Sequence, residues 1–261
     1  MNQTRLRRYL LPTLALVGAL VVWEALVRIN HIEPVILPAP SLIAKTLVQD
    51  WGVLFRSLLV TLSITVEALV AATIGGTLLA LLFARFKVIE EAFFPFAVIM
   101  QVTPVISIAP LLLVYLDSGG AVLVCAFLVA FFPILSNTAL GLSSVDHNLL
   151  DLFQMYRASR GRQLLWLRVP SALPYFLGGL RIGGGLALIG AIVAEIAAGS
   201  AGSGSGLAFR IIESGYRLNI PRMFAALLLL SIAGIAIFFA LSLVSHLLLR
   251  RWHESALTRE A

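Results

Sequence analysis

This sequence predicts an all-α, polytopic membrane protein with six spanning helices, and three observations carry that expectation. The chain is 60% hydrophobic and 12% charged, with a mean hydropathy of +0.99, far from the mixed composition of a soluble globular domain. Its apolar residues fall into windows of about 20 residues or more, the length a helix needs to cross hydrocarbon. Between the windows lie short segments rich in Pro, Gly, Asp or Arg, which break a helix or exclude it from lipid.

The first window, near residues 9–29, follows Arg5, Arg7 and Arg8 and so has the basic start of a signal peptide. Its apolar run is too long for one and no small-x-small site follows, so it reads as a retained span, with cleavage the alternative. Residues 30–56 carry LPAPS, whose Pro38 and Pro40 oppose helix, and then SLIAKTLVQDWGVLF, which suits an amphipathic helix at the interface. Further spans are expected near 58–84, 93–115, 121–142, 174–198 and 223–249. The third and fourth are separated by Leu116 to Gly120, where Asp117, Ser118, Gly119 and Gly120 supply a tight reversal and hence an antiparallel hairpin. Residues 199–221 open with GSAGSGSG, which lacks the strand and the Lys-Ser/Thr ending of a phosphate-binding loop and reads as a flexible outer loop. No soluble unit can be cut from the chain, so residues 1–261 form a single transmembrane domain.

Basic residues in short loops set the orientation. With the N-terminus inside, the inner segments hold Arg5, Arg7, Arg8, Arg85, Lys87, Arg157, Arg160, Arg162, Arg168, Arg250, Arg251 and Arg259. The outer ones hold Arg28, Lys45, Arg56, Arg210, Arg217 and Arg222. Both termini are therefore expected in the cytoplasm. The net charge of +6 and pI near 10.1 arise from Arg residues scattered between apolar runs, which suits contact with membrane lipid and no nucleic acid.

Catalytic and metal-binding patterns are missing. The lone Cys125 excludes an internal disulfide and any Cys-based cluster. His31, His147, His246 and His253 are scattered, with no HExxH pair, nucleophile elbow or Walker motif, so no metal and no enzymatic activity are expected of this chain. An intramembrane hydrolase would need a convergent nucleophile and base that these histidines do not supply.

The most informative segment is Asp146 to Pro174, DHNLLDLFQMYRASRGRQLLWLRVPSALP. Arg157, Arg160, Arg162 and Arg168 keep it out of lipid, yet Leu149, Leu150, Leu152, Phe153, Tyr156, Leu164, Leu165 and Trp166 recur at roughly helical spacing. By pattern alone it is either a helix pair docking a partner or an interfacial helix on anionic lipid.

The order acidic residue, apolar pair, Ala-Ser, basic residues, Leu-Pro resembles the EAA loop of bacterial ATP-binding-cassette (ABC) importer permeases, in the branch handling nitrate, sulfonate and taurine. Asp151 stands where that family has glutamate, Phe153 where it has alanine, and Arg157 where it has glycine, while Ala158 and Ser159 match the rest of its GAS. LPAPS at Leu37, QVTPVISIAPLLLVY at Gln101 to Tyr115, and VPSALPYFLGGLRIGGGLALIGAIVAE at Val169 to Glu195 extend the resemblance over nearly the whole chain. With Arg157 in place of glycine, the turn is expected to use Gly161, leaving Arg157 to reach an acidic side chain of the partner.

The resemblance implies a type I ABC importer permease fold in the bacterial cytoplasmic (inner) membrane, with a cytoplasmic coupling loop at about 146–173. It implies ABC ATP-binding subunits that carry ATP and Mg, a second permease copy, and a periplasmic or lipid-anchored substrate-binding protein. Asp151, Leu152, Phe153, Met155, Tyr156, Arg157, Ala158, Ser159 and Gly161 would couple the ATPase, and this chain would bind no cofactor itself. Cargo is open among sulfonate or taurine, nitrate, and a pyrimidine or riboflavin-like vitamin precursor. The rival class is a stand-alone secondary transporter or channel, which would need no docking stretch.

Polar groups inside the spans complete the list. Gln101, Thr103, Ser107 and Asn137 lie beside Pro104, Pro110 and Pro133, where broken helices line cavities, and with Glu195 and Glu67 they are the residues expected along a substrate passage, although helix-to-helix hydrogen bonding competes as the role of the first four. Glu195, near the outer end of span five, either gates the passage or caps a helix. Glu67 lies mid-span without a nearby lysine on its helix, and Arg181 is placed to snorkel toward the cytoplasmic interface. Gly178, Gly179, Gly183, Gly184 and Gly185 permit close helix packing.

Overall fold

The computed structural model describes residues 3–199 and 205–250, and among these every regular element is helical. Arg251, His253 and Arg259 lie outside the described residues.

Helix α1 (Gln3–Ile29) is the first apolar span and stands at the edge of the bundle. Helix α2 (Pro40–Gln49) begins at the very proline expected to oppose a helix, because Pro at the first helical position loses no hydrogen bond and has a suitable φ. The expected interfacial segment does not run on as one amphipathic helix. It breaks at Asp50, and Trp51 opens α3 (Trp51–Arg85), which at 35 residues is about 52 Å long and extends well beyond the hydrocarbon core.

The third span needs the largest correction. Residues 93–115 are not one rod but α4 (Lys87–Val102) and α5 (Val105–Tyr115), bent by 99° at Thr103 and Pro104. Pro104 cannot donate to the ladder and forces extended backbone on Thr103 (ψ 124°), so the helix stops there. Five helices are therefore long and apolar enough to cross a membrane, or six with the bent pair as one span. The expected reversal holds on its far side: α6 (Ser118–Ser143) is capped by Asp117, whose carboxylate accepts from the Gly119 and Gly120 N–H groups.

Helix α7 (His147–Met155) and the short α8 (Arg160–Gln163) form the expected pair, but α8 does not end before Pro174. A π-helical turn at Leu164–Arg168 carries it into α9 (Val169–Ala198), where Pro170 and Pro174 lack the N–H groups that a regular α ladder would use. The expected flexible outer loop is also corrected. Its described part holds α10 (Leu207–Tyr216), an amphipathic helix, before α11 (Ile220–Leu249).

The core is a seam of small residues between α6 and α9. A Cβ on Gly179 would lie 2.9 Å from the Pro133 carbonyl oxygen, one on Gly190 2.9 Å from Ala126 Cα, and one on Gly141 2.7 Å from Tyr175 Cβ. Such contact lets two spans approach closely without any hydrophobic drive in lipid. Gly178 and Gly185 face open space and take no part. At one end of the bundle Ile43, Leu54, Leu207, Ala225 and Leu229 join α2, α3, α10 and α11. At the other, Phe83, Phe132, Leu135, Leu142 and Ala172 join α3, α6 and α9.

Candidate substrate passage and docking face

At the α2 and α10 end, two carboxylates from spanning helices hold the two short helices by their N-termini. Glu195 is buried, 5% exposed. Its Oε1 accepts from Thr61 Oγ1 at 2.7 Å and its Oε2 from the Ala208 N–H at 3.0 Å. Thr61 Oγ1 accepts in turn from the Leu207 N–H at 2.8 Å. The first two N–H groups of α10 are thus satisfied by α3 and α9, and the positive end of the helix faces the negative charge. Gly206 is required here because a Cβ would overlap the Glu195 carboxylate. Glu24 of α1 does the same for α2, accepting from Ser41 N at 3.0 Å and from Ser41 Oγ at 2.7 Å.

Outside this clasp, Arg210 Nε donates to Ser57 Oγ at 3.0 Å and Arg210 Nη1 to Glu213 Oε2 at 2.7 Å. Arg217 adds a second cation 3.0 Å from Glu213 Oε1. The Arg210 hydrogen bond holds the Glu213 carboxyl below the ordinary carboxylate range, against a smaller opposing effect of burial. Arg222 Nε lies 3.1 Å from Asp50 Oδ2, off hydrogen-bond alignment, so the link from α11 to the α2–α3 corner is coulombic.

The broken span opens a cavity of about 560 Å³ lined by Met100 to Ile106 and by faces of α6 and α9. Gln101 and Thr103 are in its wall; Ser107, Asn137, Glu67 and Glu195 are not. The Thr103 hydroxyl donates to the Ile99 carbonyl at 2.8 Å, as a residue at a helix end does. Asn137 donates to the Pro133 carbonyl at 2.8 Å and packs against Gly179, so it occupies the α6–α9 seam. The lining contains no ionisable side chain. Arg181 shares the α11-facing side of α9 with Gly184 and Leu188, and its guanidinium lies over the Phe238 ring at 5.9 Å, so it does not follow the expected path to the interface. Glu67, midway along α3, is exposed on the surface of this chain.

At the opposite end, α7 presents Met155 and Tyr156 almost fully to the outside, 82% and 81% exposed, and the π turn presents Trp166 at 75%. Asp151, Leu152 and Ser159 are exposed beside them, while Phe153 and Ala158 are half-buried. Asp146 caps α7 by accepting from Asn148 N at 2.8 Å, and Ser159 caps α8. The turn between them overturns the expectation for Gly161, which lies inside α8. Arg157 itself takes the left-handed conformation, φ 51°. Its N–H reaches the Gln154 carbonyl at 2.8 Å and that of Ala158 reaches Phe153 at 2.9 Å, the paired bonds of a Schellman closure. No local pattern marks Thr61, Gly206 or Ser57. Each is an ordinary small or hydroxyl residue until folding sets it against a group more than ten residues away.

Residues 72–254 match the family described as binding-protein-dependent transport system inner membrane component. The chain is 34% identical to the formylaminopyrimidine transport permease ThiX of Halalkalibacterium halodurans, over 91% of this chain and 94% of that protein. It is 33% identical to the riboflavin transport system permease RibX of Chloroflexus aurantiacus, over 90% and 87%. With the taurine transport permease TauC of Escherichia coli identity is 27%, over 90% and 86%. The fold is shared with a solved amino acid ABC transporter, at a TM-score of 0.64 and 16% identity, over 77% of this chain and 96% of that one. By the residues matched and the helical bundle they build, this chain belongs to the binding-protein-dependent inner membrane permeases of ABC transport systems.

Proposed function

We propose that this chain is the membrane-spanning subunit of an ATP-driven importer in which separate ATP-binding subunits dock on the α7–α8 face. The exposure of Met155, Tyr156 and Trp166 on a stretch too rich in Arg for lipid is the observation that carries this reading. Each large side chain buried in a partner groove contributes about 1.5–3 kcal/mol before association costs. Asp151, Arg157 and the neighbouring Arg residues set register and partner choice. Gly161 serves only as a helical residue in this scheme. The α7–α8 end and both termini face the cytoplasm, and a substrate-binding protein delivers cargo at the α2–α10 end.

A second permease copy completes the passage. Glu67 supports it, since a mid-span carboxylate facing hydrocarbon costs about 2.5–3.5 kcal/mol or more, whereas a partner or a wet passage removes that cost. Substrate crosses beside the α4–α5 break, past Gln101 and Thr103, by alternating access as the ATPase pair closes. Ser107 serves the passage only once the bent pair moves, and Glu195 holds the outer helix that must shift.

The cargo is a neutral or weakly charged heteroaromatic compound of the pyrimidine or flavin kind. The cavity wall carries an amide and a hydroxyl but no cation to replace the hydration of a sulfonate or nitrate, and identity to the pyrimidine and riboflavin permeases exceeds that to the taurine permease. Proteoliposomes of the chain with its co-expressed ATPase should take up such a compound only when ATP and the binding protein are supplied. Met155→Ala with Tyr156→Ala should weaken ATPase co-purification at least tenfold. Uptake by the chain alone would overturn the proposal and establish a channel or secondary transporter.

A further inference from the structure

A second cavity, of about 390 Å³, lies at the α7–α8 end between the end of α3, the start of α4, the end of α6 and the α8–α9 segment. Its size falls within the roughly 300–1,000 Å³ that small-molecule sites occupy. Its floor is apolar, with Phe83 and Leu142 buried. Its rim is not. Arg85, Lys87, Arg160 and Arg168 converge on it, with Glu90 the one carboxylate in the lining.

Among the described residues, Arg85, Arg160 and Arg168 have no carboxylate within ion-pairing distance, and Lys87 is 3.9 Å from an exposed Glu91, a contact worth little in water. Four cations from two stretches of the chain share this rim, three of them exposed and screened by water, and an anion among them would relieve what repulsion remains. Guanidinium groups favour phosphate in particular, through paired parallel hydrogen bonds. Basic pockets between spanning helices at a membrane face suit anionic head groups.

We infer that this cavity binds a phosphate group, carried by an anionic phospholipid or by a soluble phosphate, and so ties the α3–α4 corner to the base of the docking pair. Arg85 ends α3 and Lys87 opens α4, while Arg160 opens α8 and Arg168 closes the π turn. On the alternating access proposed above, the bound group would bridge the α3–α4 corner and the base of the α7–α8 pair.

The full chain in nanodiscs mixing phosphatidylglycerol and phosphatidylcholine tests this by native mass spectrometry, which needs neither ATP nor transport. Wild type should retain phosphatidylglycerol in preference to phosphatidylcholine. Arg85→Gln and Arg168→Gln should each lower retention roughly tenfold, as expected for one lost charge-assisted contact, with Arg85→Lys intermediate and Arg56→Gln, at the far end, unchanged. Saturable thermal stabilisation by inorganic phosphate, with no lipid preference, would identify the soluble source instead, provided the same variants abolish it. Absence of both effects, or equal retention by folded Arg85→Lys, Arg85→Gln and wild type, would overturn the inference.

Discussion

Thr61 on α3 and Glu195 on α9 are 134 residues apart in sequence and 2.7 Å apart in space, and together they occupy the first two N–H groups of α10. Helix α10 is therefore fastened by side chains buried between the spans. Glu195→Ala leaves the Ala208 N–H without its partner, at a cost of about 1–3 kcal/mol, while the Thr61 hydroxyl keeps the Ser57 carbonyl at 3.3 Å. Glu195→Gln keeps an acceptor for Ala208 and should cost much less. Thermal unfolding of the three proteins, with proteolysis of residues 205–216 as a local readout, should show that order; equal stability of the Ala variant and wild type would remove the clasp from the account.

Gly206→Ala should disrupt the same clasp from its other side, because the new methyl group overlaps the Glu195 carboxylate. Hydrogen exchange should quicken at Leu207 and Ala208 before it changes elsewhere in the bundle.

Glu213 gives the α10 anchorage a pH dependence. Its carboxyl is held low by the Arg210 hydrogen bond, so its stabilisation is complete above the unfolded value of about 4.3 and is lost as pH falls through the lower folded value. Proteolytic protection of α10 should thus decline in acid, and Glu213→Gln should start lower and show less of that decline. A rise in protection on acidification would contradict the sign.

Arg157→Gly separates turn strain from partner contact. A left-handed conformation costs an L residue roughly 1–2 kcal/mol, which glycine avoids, so the turn after α7 should become more protected from exchange. If Arg157 also meets an acidic partner group, ATPase affinity should fall while the turn tightens. Arg157→Ala should lose the charge and keep the strain.

Gly178→Ala and Gly179→Ala are adjacent changes with opposite outcomes. The first adds a methyl group to open space and gains about 0.5–1 kcal/mol of helix preference. The second presses on the Pro133 carbonyl and the Asn137 side chain and should cost about 1–3 kcal/mol in thermal unfolding.

Most of the bundle is legible in the sequence, because hydrocarbon leaves an apolar window of about 20 residues few choices besides helix. The α7–α8 pair is legible too, since its Arg residues forbid burial in lipid while its apolar residues keep helical spacing. Pro104 announced a disturbance, but a 99° bend and the cavity beside it depend on what α6 and α9 leave unfilled around it.

The sequence alone determined that this chain spans a membrane in helices and carries an Arg-rich amphipathic stretch between two of them, since both follow from local composition and period. Tertiary structure decided the rest: that Glu195 and Glu24 fasten the N-termini of α10 and α2, that Arg157 itself makes the turn, that Asn137 packs in a seam while Gln101 lines a cavity, and that two pairs of cations from distant segments share one pocket. A side chain's partner is fixed by which helices meet and at what level. That is a property of packing between segments far apart in the chain, and no local pattern encodes it.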